Sequence, residues 1–172
     1  MSYKISSSPA LSPAKASEMI SFLESFYSIS DTESQHDAYV ASFTPEATLI
    51  MGPKTAKGAD QIRTLRHGLW THVASRKHTA TKVFFGGEDE LMLYGTVKYV
   101  LKSDPEAEVE VQWAGRVVFD FTEGVRMRFY QVYLYTYDRN IETTCGAGGV
   151  NSAIVTHNLF STESDAGSWT VM

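Results

Sequence analysis

Met19, Phe22, Leu23, Phe26 and Tyr27 recur at the spacing i, i+3, i+4, i+7, i+8, which puts them on one face of a helix. Ser12 offers a cap and Pro13 suits the first helical position. Ser30-Asp-Thr-Glu33 has the form of a capping box and predicts a second helix. Its apolar face is His36, Tyr39, Val40 and Phe43, and Thr44-Pro45 ends it, because the residue before proline avoids the α region. Ala47–Met51 reads as a short strand closed by Gly52-Pro53. A third helix follows Gly58, with Ile62, Leu65, Leu69 and Val73 on its buried side and Arg66 and Trp70 four apart on a neighbouring stripe.

After Ser75 the period shortens to two. Segments 76–85, 90–102, 108–121 and 125–137 read as four long strands. Short turns join them, which predicts an antiparallel meander. Helices segregated ahead of an antiparallel sheet imply an α+β fold of about three N-terminal helices packed on one face of the sheet. Residues 1–12 read as a loose arm and 13–137 as the folded domain. Residues 138–172, rich in Gly, Ser and Thr, read as an extension, with a short strand or a helical turn at 153–160.

The tight connection at 122–124 sets a register in which paired positions sum to about 246, so Trp113 lies opposite Tyr133 and Val111 opposite Tyr135. The odd face of the last two strands then carries Trp113, Gln131, Tyr133 and Tyr135, and the even face Arg116, Arg126, Arg128 and Tyr130. The odd face is the more apolar and is expected under the helices. A bulge in the hairpin would slip this register by one. Trp113, Gln131, Tyr133 and Tyr135 join large apolar surfaces to hydrogen-bonding tips, as ligand pockets do. The plainer alternative is a set of core aromatics whose tips meet backbone or water.

At 172 residues the chain fits one domain. A net charge of −5 without a Lys/Arg block argues against nucleic acid and against anionic membrane. One cysteine, Cys145, allows no internal disulfide and anchors no iron–sulfur or Cys-zinc site alone. No apolar run is long enough to span a membrane, and the N-terminus has no apolar core of a signal peptide, so a cytoplasmic location is expected. His67 and His72 are five apart, about 140° around a helix, so they do not pair as metal ligands. Gly86-Gly87 and Gly146–Gly149 lack the strand–glycine–helix context of a phosphate loop, and no Gly-x-Ser-x-Gly elbow occurs. No cofactor and no metal are expected.

The ordered set Phe43-Thr-Pro-Glu-Ala-Thr-Leu-Ile-Met51, Lys57-Gly-Ala-Asp-Gln-Ile62, Arg76-Lys-His78 and Gly124-Val-Arg-Met-Arg-Phe-Tyr-Gln-Val-Tyr-Leu-Tyr-Thr136 resembles the nuclear transport factor 2-like superfamily. Within it, the set is most similar to the SnoaL-like and scytalone dehydratase-like branch, and to fungal members linked to secondary metabolism. The resemblance covers roughly residues 14–137. It implies a cone-shaped α+β barrel of a curved, mainly antiparallel sheet, a pocket between sheet and helices, and a homodimer through the outer sheet face. Relatives include isomerases, polyketide cyclases and dehydratases, and also modules without chemistry, so the fold leaves function open.

His78 stands where dehydratase-like relatives carry a pocket histidine, and a neutral imidazole gives or takes a proton near physiological pH. The alternative is a strand-end histidine bonded to backbone. Tyr135 stands where many SnoaL-like relatives have an aspartate; a phenol there would hold a developing oxyanion. Asp37 and Asp31 are the nearest helix carboxylates, in a region where relatives place pocket acids. Asp31 would otherwise cap the second helix, and Asp37 would be solvated. Tyr27, Tyr39, Trp70, Trp113, Gln131 and Tyr133 are the expected substrate-binding residues. Arg66 would bind a ligand carboxylate or an acidic neighbour, the structural role being favoured.

Two readings follow. One is a cofactor-free acid/base isomerase, cyclase or dehydratase acting on an apolar, oxygenated small molecule of polyketide or terpenoid type. The other is a small-molecule-binding or dimeric assembly module, favoured by the missing aspartate at Tyr135 and by a tail that would fill the pocket. An interaction face built on Arg116, Arg126, Arg128 and Tyr130 is a weaker third.

Overall fold

The computed structural model describes residues 13–134. The arm at 1–12, Tyr135, and the extension with its expected element at 153–160 and any packing of Phe160 or Trp169 on Trp113 lie outside the described residues.

The chain runs α1 (Pro13–Ser30), α2 (His36–Ala41), β1 (Phe43–Met51), β2 (Lys54–Lys57), α3 (Gly58–Gly68), β3 (Val73–Phe85), β4 (Glu90–Leu101), β5 (Asp104–Asp120) and β6 (Arg126–Leu134). One six-stranded sheet has the order β2-β1-β6-β5-β4-β3. Every neighbouring pair is antiparallel except β1 with β6. The expected helices and the four long strands are present. Met19, Leu23, Phe26 and Tyr27 of α1 are buried against the sheet with Tyr39 and Val40 of α2. The burial of β4 alternates strictly, with Leu91, Leu93, Val97, Tyr99 and Leu101 facing the core, as a sheet covered on one face requires.

Three local readings change. The capping-box motif at Ser30 does not start a helix: α1 runs through Ser30, a turn follows, and α2 is a six-residue helix beginning at His36. Two buried arginines take the carbonyls at the end of α1 and fix its stop there. Thr44-Pro45 lies inside β1 rather than ending a helix; proline is tolerated where the ladder is irregular, and the β1–β6 register shifts between Phe43 and Thr48. Val73 opens β3 instead of closing α3.

The largest correction lies in the final hairpin. Next to the turn Asp120 pairs with Arg126 and Phe119 with Met127, as the sum of 246 predicts. Beyond that, Val118 pairs with Phe129 and every later pair sums to 247. Arg128 is the extra residue of a β-bulge, and its Nε donates to the carbonyl of Phe119. One inserted residue exchanges the faces of everything after it. Tyr130 and Val132 therefore point into the core, 2% and 7% exposed, and Tyr133 is 45% exposed. Trp113 lies opposite Leu134, not Tyr133, and Gln131 lies opposite Arg116 on the outer face.

Candidate active site

The last four carbonyls of a helix have no partner within it. At the end of α1 those partners are guanidinium groups. Arg66, fully buried, donates from Nη1 to Ser30 O (2.8 Å) and from Nη2 to Ile29 O (3.3 Å) and Thr32 O (2.8 Å). Arg76 donates from Nε and Nη2 to Ser30 O (3.0 and 2.5 Å) and from Nη2 to Ser30 Oγ (3.1 Å). Both are held from the side by aromatic faces. Arg66 lies over Tyr39 (4.6 Å) and Trp70 (5.2 Å), and Arg76 over Trp70 at 4.5 Å. Cations at a helix C-terminus meet its partial negative charge, which offsets part of their burial cost. Burial, reinforced by Arg76, pushes the Arg66 guanidinium down to about 10, which leaves it charged at neutral pH.

This anchoring positions the next residue. The Asp31 carboxylate accepts from the backbone N–H of His78 through Oδ2 (2.8 Å), and its Oδ1 lies 2.5 Å from His78 Nδ1. The two-point grip fixes both strand and ring. It selects the tautomer with the proton on Nδ1 and leaves Nε2 with a free lone pair. Among the described residues Nε2 has no hydrogen-bond partner. Burial holds the His78 pKa below the usual imidazole range. The Asp31 hydrogen bond and charge pull it up, and the charges of Arg76 and Arg66 push it down. The group is a neutral imidazole backed by a carboxylate, the arrangement a general base needs.

Around the ring, Tyr27 stacks at 5.1 Å between centroids, and Trp113 meets it edge-on at 5.7 Å. The Tyr27 and Tyr130 hydroxyls lie 3.1 Å apart, and burial raises both pKa values, so both remain protonated donors. Trp113 Nε1 is buried without a partner among the described residues. Two glycines permit close packing here, Gly95 of β4 against the β3 backbone and Gly115 against the rings. A Cβ on Gly95 would sit 1.9 Å from Thr79 O, and one on Gly115 would crowd the rings of Tyr130 and Trp113 at 3.2–3.3 Å.

Two spaces border His78. An enclosed cavity of about 30 Å³ lies inside the cone, lined among others by Arg76, Tyr99, Trp113 and Tyr130; a bound water needs on the order of 10–15 Å³ of such space. An open cleft of about 620 Å³ runs between α1 and β3, with Leu23, Tyr27 and Leu93 as its apolar wall and Asp31 and His78 beside them. The cleft has the size of a small-molecule site.

The structure thus brings together four of the residues singled out from the sequence: His78, Tyr27, Trp113 and Asp31. It separates the others. Asp37 is 92% exposed at its side chain and pairs with Arg63, because α2 begins at His36 and turns it outward. Tyr39 and Trp70 pack under the arginines rather than lining the cavity, and the bulge carries Gln131 and Tyr133 to the outer face. Sequence reading passed over three cavity residues. Arg76 shares a strand face with His78, two residues away, and Tyr99 continues the buried alternation of β4, so both were signalled by period. Tyr130 was not, because only the bulge turns it inward. Among the described residues no group of three His, Cys, Asp or Glu side chains is placed to hold a metal, and no helix is long and apolar enough to cross a membrane.

No protein-family model and no curated protein matches the chain. Solved structures do. A candidate aromatic ring hydroxylase from Novosphingobium aromaticivorans superposes with a TM-score of 0.66 at 19% identity, over 72% of this chain and 91% of that one. ActVI-ORFA from Streptomyces coelicolor gives 0.58 at 16% identity, over 69% and 96%. Nuclear transport factor 2 from Cryptosporidium parvum gives 0.58 at 14% identity, over 73% and 98%. These likenesses establish the architecture, the cone of the nuclear transport factor 2-like fold.

Proposed function

We propose that the chain is a general acid–base enzyme of the isomerase, cyclase or dehydratase kind, acting on a small apolar substrate that carries a carbonyl group. The observation that carries this reading is the His78–Asp31 pair, a carboxylate gripping Nδ1 while Nε2 is left without a partner beside a substrate-sized cleft. Nε2 takes the proton from the carbon next to the carbonyl. The C–H electron pair forms a C=C bond to the carbonyl carbon, the C=O π pair moves onto oxygen, and that oxyanion is met by the Tyr130 hydroxyl and Trp113 N–H. Asp31 steadies the imidazolium. The proton then returns to a different carbon, or to a departing hydroxyl as water leaves. Tyr130, paired with Tyr27, takes over the part the sequence assigned to Tyr135. The chain supplies base, orienting carboxylate and oxyanion donors from its own side chains.

The same reading takes the protein as a cytoplasmic homodimer closed through the outer sheet face. Phe84, Met92, Tyr94 and Tyr133 are exposed there, and Phe84 stacks on Tyr94 at 6.2 Å. Sedimentation at micromolar concentration is expected to give twice the chain mass.

Uptake of solvent deuterium by 2-tetralone, an enolisable bicyclic ketone, tests the chemistry. The wild-type protein is expected to accelerate exchange over buffer, and His78→Gln to lose on the order of 10²–10⁴ of that rate. Equal rates for the two would defeat the assignment. A second reading, a binding module without chemistry, is favoured by the small volume of the enclosed cavity. It predicts that the ketone binds and does not exchange.

A further inference from the structure

The enclosed cavity is lined by one arginine, Arg76, and a second, Arg66, shares its hold on the Ser30 carbonyl. Arg66 and Arg76 are both buried. The one carboxylate within ion-pair reach of either, among the described residues, is Asp31, 3.9 Å from Arg76 Nε. Asp31 is already committed to His78. The helix end offsets about half a charge, so a net positive charge is left beside the cavity. An isolated buried charge is costly unless something pairs with it.

The donors facing this space are unspent as well. Arg76 uses Nε and Nη2 on Ser30, and its Nη1 has no partner among the described residues. The Tyr99 hydroxyl has none either, although the residue is 6% exposed and lines the cavity. Trp113 Nε1 is buried and unpartnered. The Tyr130 hydroxyl also lines the cavity; it is bonded to the Tyr27 hydroxyl at 3.1 Å and donates into the cavity when Tyr27 donates to it. A guanidinium, two phenols and an indole N–H converge on a space of about 30 Å³. That volume is too small for a ring and matched to one oxygen-bearing group. Every one of these groups can donate, and the arginine and indole cannot accept.

We propose that this cavity is an anion subsite that holds the carboxylate of an acidic substrate, with Arg76 as its specificity-determining residue and the α1/β3 cleft taking the apolar body. The inference deepens the reading above by naming the substrate class, a small aryl or alicyclic carboxylic acid. His78 borders both spaces; the proposal requires that they join past its ring, with the carbon linking carboxylate to body beside it. There the cationic subsite also stabilises the charge that builds on the carboxylate as that carbon loses its proton.

The test is binding, kept apart from turnover. Phenylacetate and its neutral isostere phenylacetamide are titrated by calorimetry into the full-length protein. The acid is expected to bind at least about tenfold tighter, a difference of about 1.4 kcal/mol. Arg76→Gln is expected to erase that preference. Because Arg76 also ties down Ser30, Tyr99→Phe serves as the second variant: it keeps the ring and is expected to weaken the acid several-fold while leaving the amide unchanged. His78→Gln should keep the preference while losing deuterium exchange. Equal binding of acid and amide by the wild type, no binding of either, or a preference untouched by both Arg76→Gln and Tyr99→Phe would overturn the subsite. Each of those outcomes leaves the exchange assay free to stand. Conversely, a charge preference without any exchange would remove the catalytic reading and leave the anion subsite.

Discussion

Two histidines, His36 of α2 and His78 of β3, differ in what holds the ring. His36, at the start of α2, stacks on His67 of α3 with centroids 4.0 Å apart. Among the described residues no carboxylate bonds it; the neighbouring Asp37 is turned to Arg63. Burial and the charges of His67 and Arg66 lower its pKa, with Glu33 opposing, and its Nδ1 is buried without a partner. Burial lowers the His78 pKa as well, but Asp31 bonds its Nδ1 and its backbone N–H, and the residue borders a cleft. The comparison teaches that a neutral, half-buried imidazole is common to packing and to catalysis. What separates them is a carboxylate that fixes the tautomer and a space large enough for a reactant.

The sharpest way to break this comparison is to exchange the fates of the two rings. His78→Gln should cost on the order of 10²–10⁴ in proton-transfer rate, and His36→Gln should leave that rate unchanged, both read by deuterium exchange. Asp31→Asn should cost nearly as much as His78→Gln, because the amide no longer holds the productive tautomer. If Asp31→Asn keeps full activity, orientation by the carboxylate is not what distinguishes the two sites.

A stability effect of intermediate size is expected behind the active pair. Arg66→Met removes the guanidinium that bonds the carbonyls of Ile29, Ser30 and Thr32, and leaves Arg76 alone to hold the end of α1. The expected loss is about 3 kcal/mol in denaturant unfolding, with a rate defect following because Asp31 loses its anchor. His36→Leu, at the packing pair, should change stability by no more than about 1 kcal/mol.

The pH profile sharpens the same contrast. His78 has its pKa lowered in the fold, so the neutral ring is the form that folding favours. Its contribution is fully present above the ordinary imidazole value of about 6.5 and is lost as pH falls through the lower, folded value. Activity should therefore be flat from neutral pH down past 6.5 and decline only below it. An acid limb centred at 7 or higher in the rate profile would contradict a desolvated base. The smallest effect is assigned to the outer face: Tyr133→Ala should leave the exchange rate unchanged, since the bulge at Arg128 carries that ring away from the cavity.

Where period alone decides a side chain's direction, the sequence was sufficient. The α1 stripe from Met19 to Tyr27, the strict alternation of β4 and the pairing next to the 122–124 turn are all as the pattern predicts. Tyr27 was recognisable for the same reason, Trp113 from its place on the apolar face of β5, and His78 from the family resemblance and not from period. What failed was set by tertiary contacts. Ser30 looks like a helix cap until Arg66 and Arg76 arrive from α3 and β3 to claim its carbonyl, and then α1 continues through it. Asp31 and Asp37 were equal candidates by position, and only the turn after Ser30 aims one at β3 and the other at solvent. The bulge at Arg128 leaves no mark that a period of two reveals, so Gln131 and Tyr133 were placed inside and Tyr130 outside. One residue of register moved the whole polar lining of the site.

The central claim is the state of one ring, and nitrogen-15 NMR of the histidine side chains observes it without a substrate. The account predicts that at pH 7 the His78 ring is neutral, protonated on Nδ1 toward Asp31 with Nε2 an acceptor, and that it titrates below the ordinary imidazole value. A ring carrying its proton on Nε2, or an imidazolium persisting through pH 7, would contradict the assignment of His78 as the base.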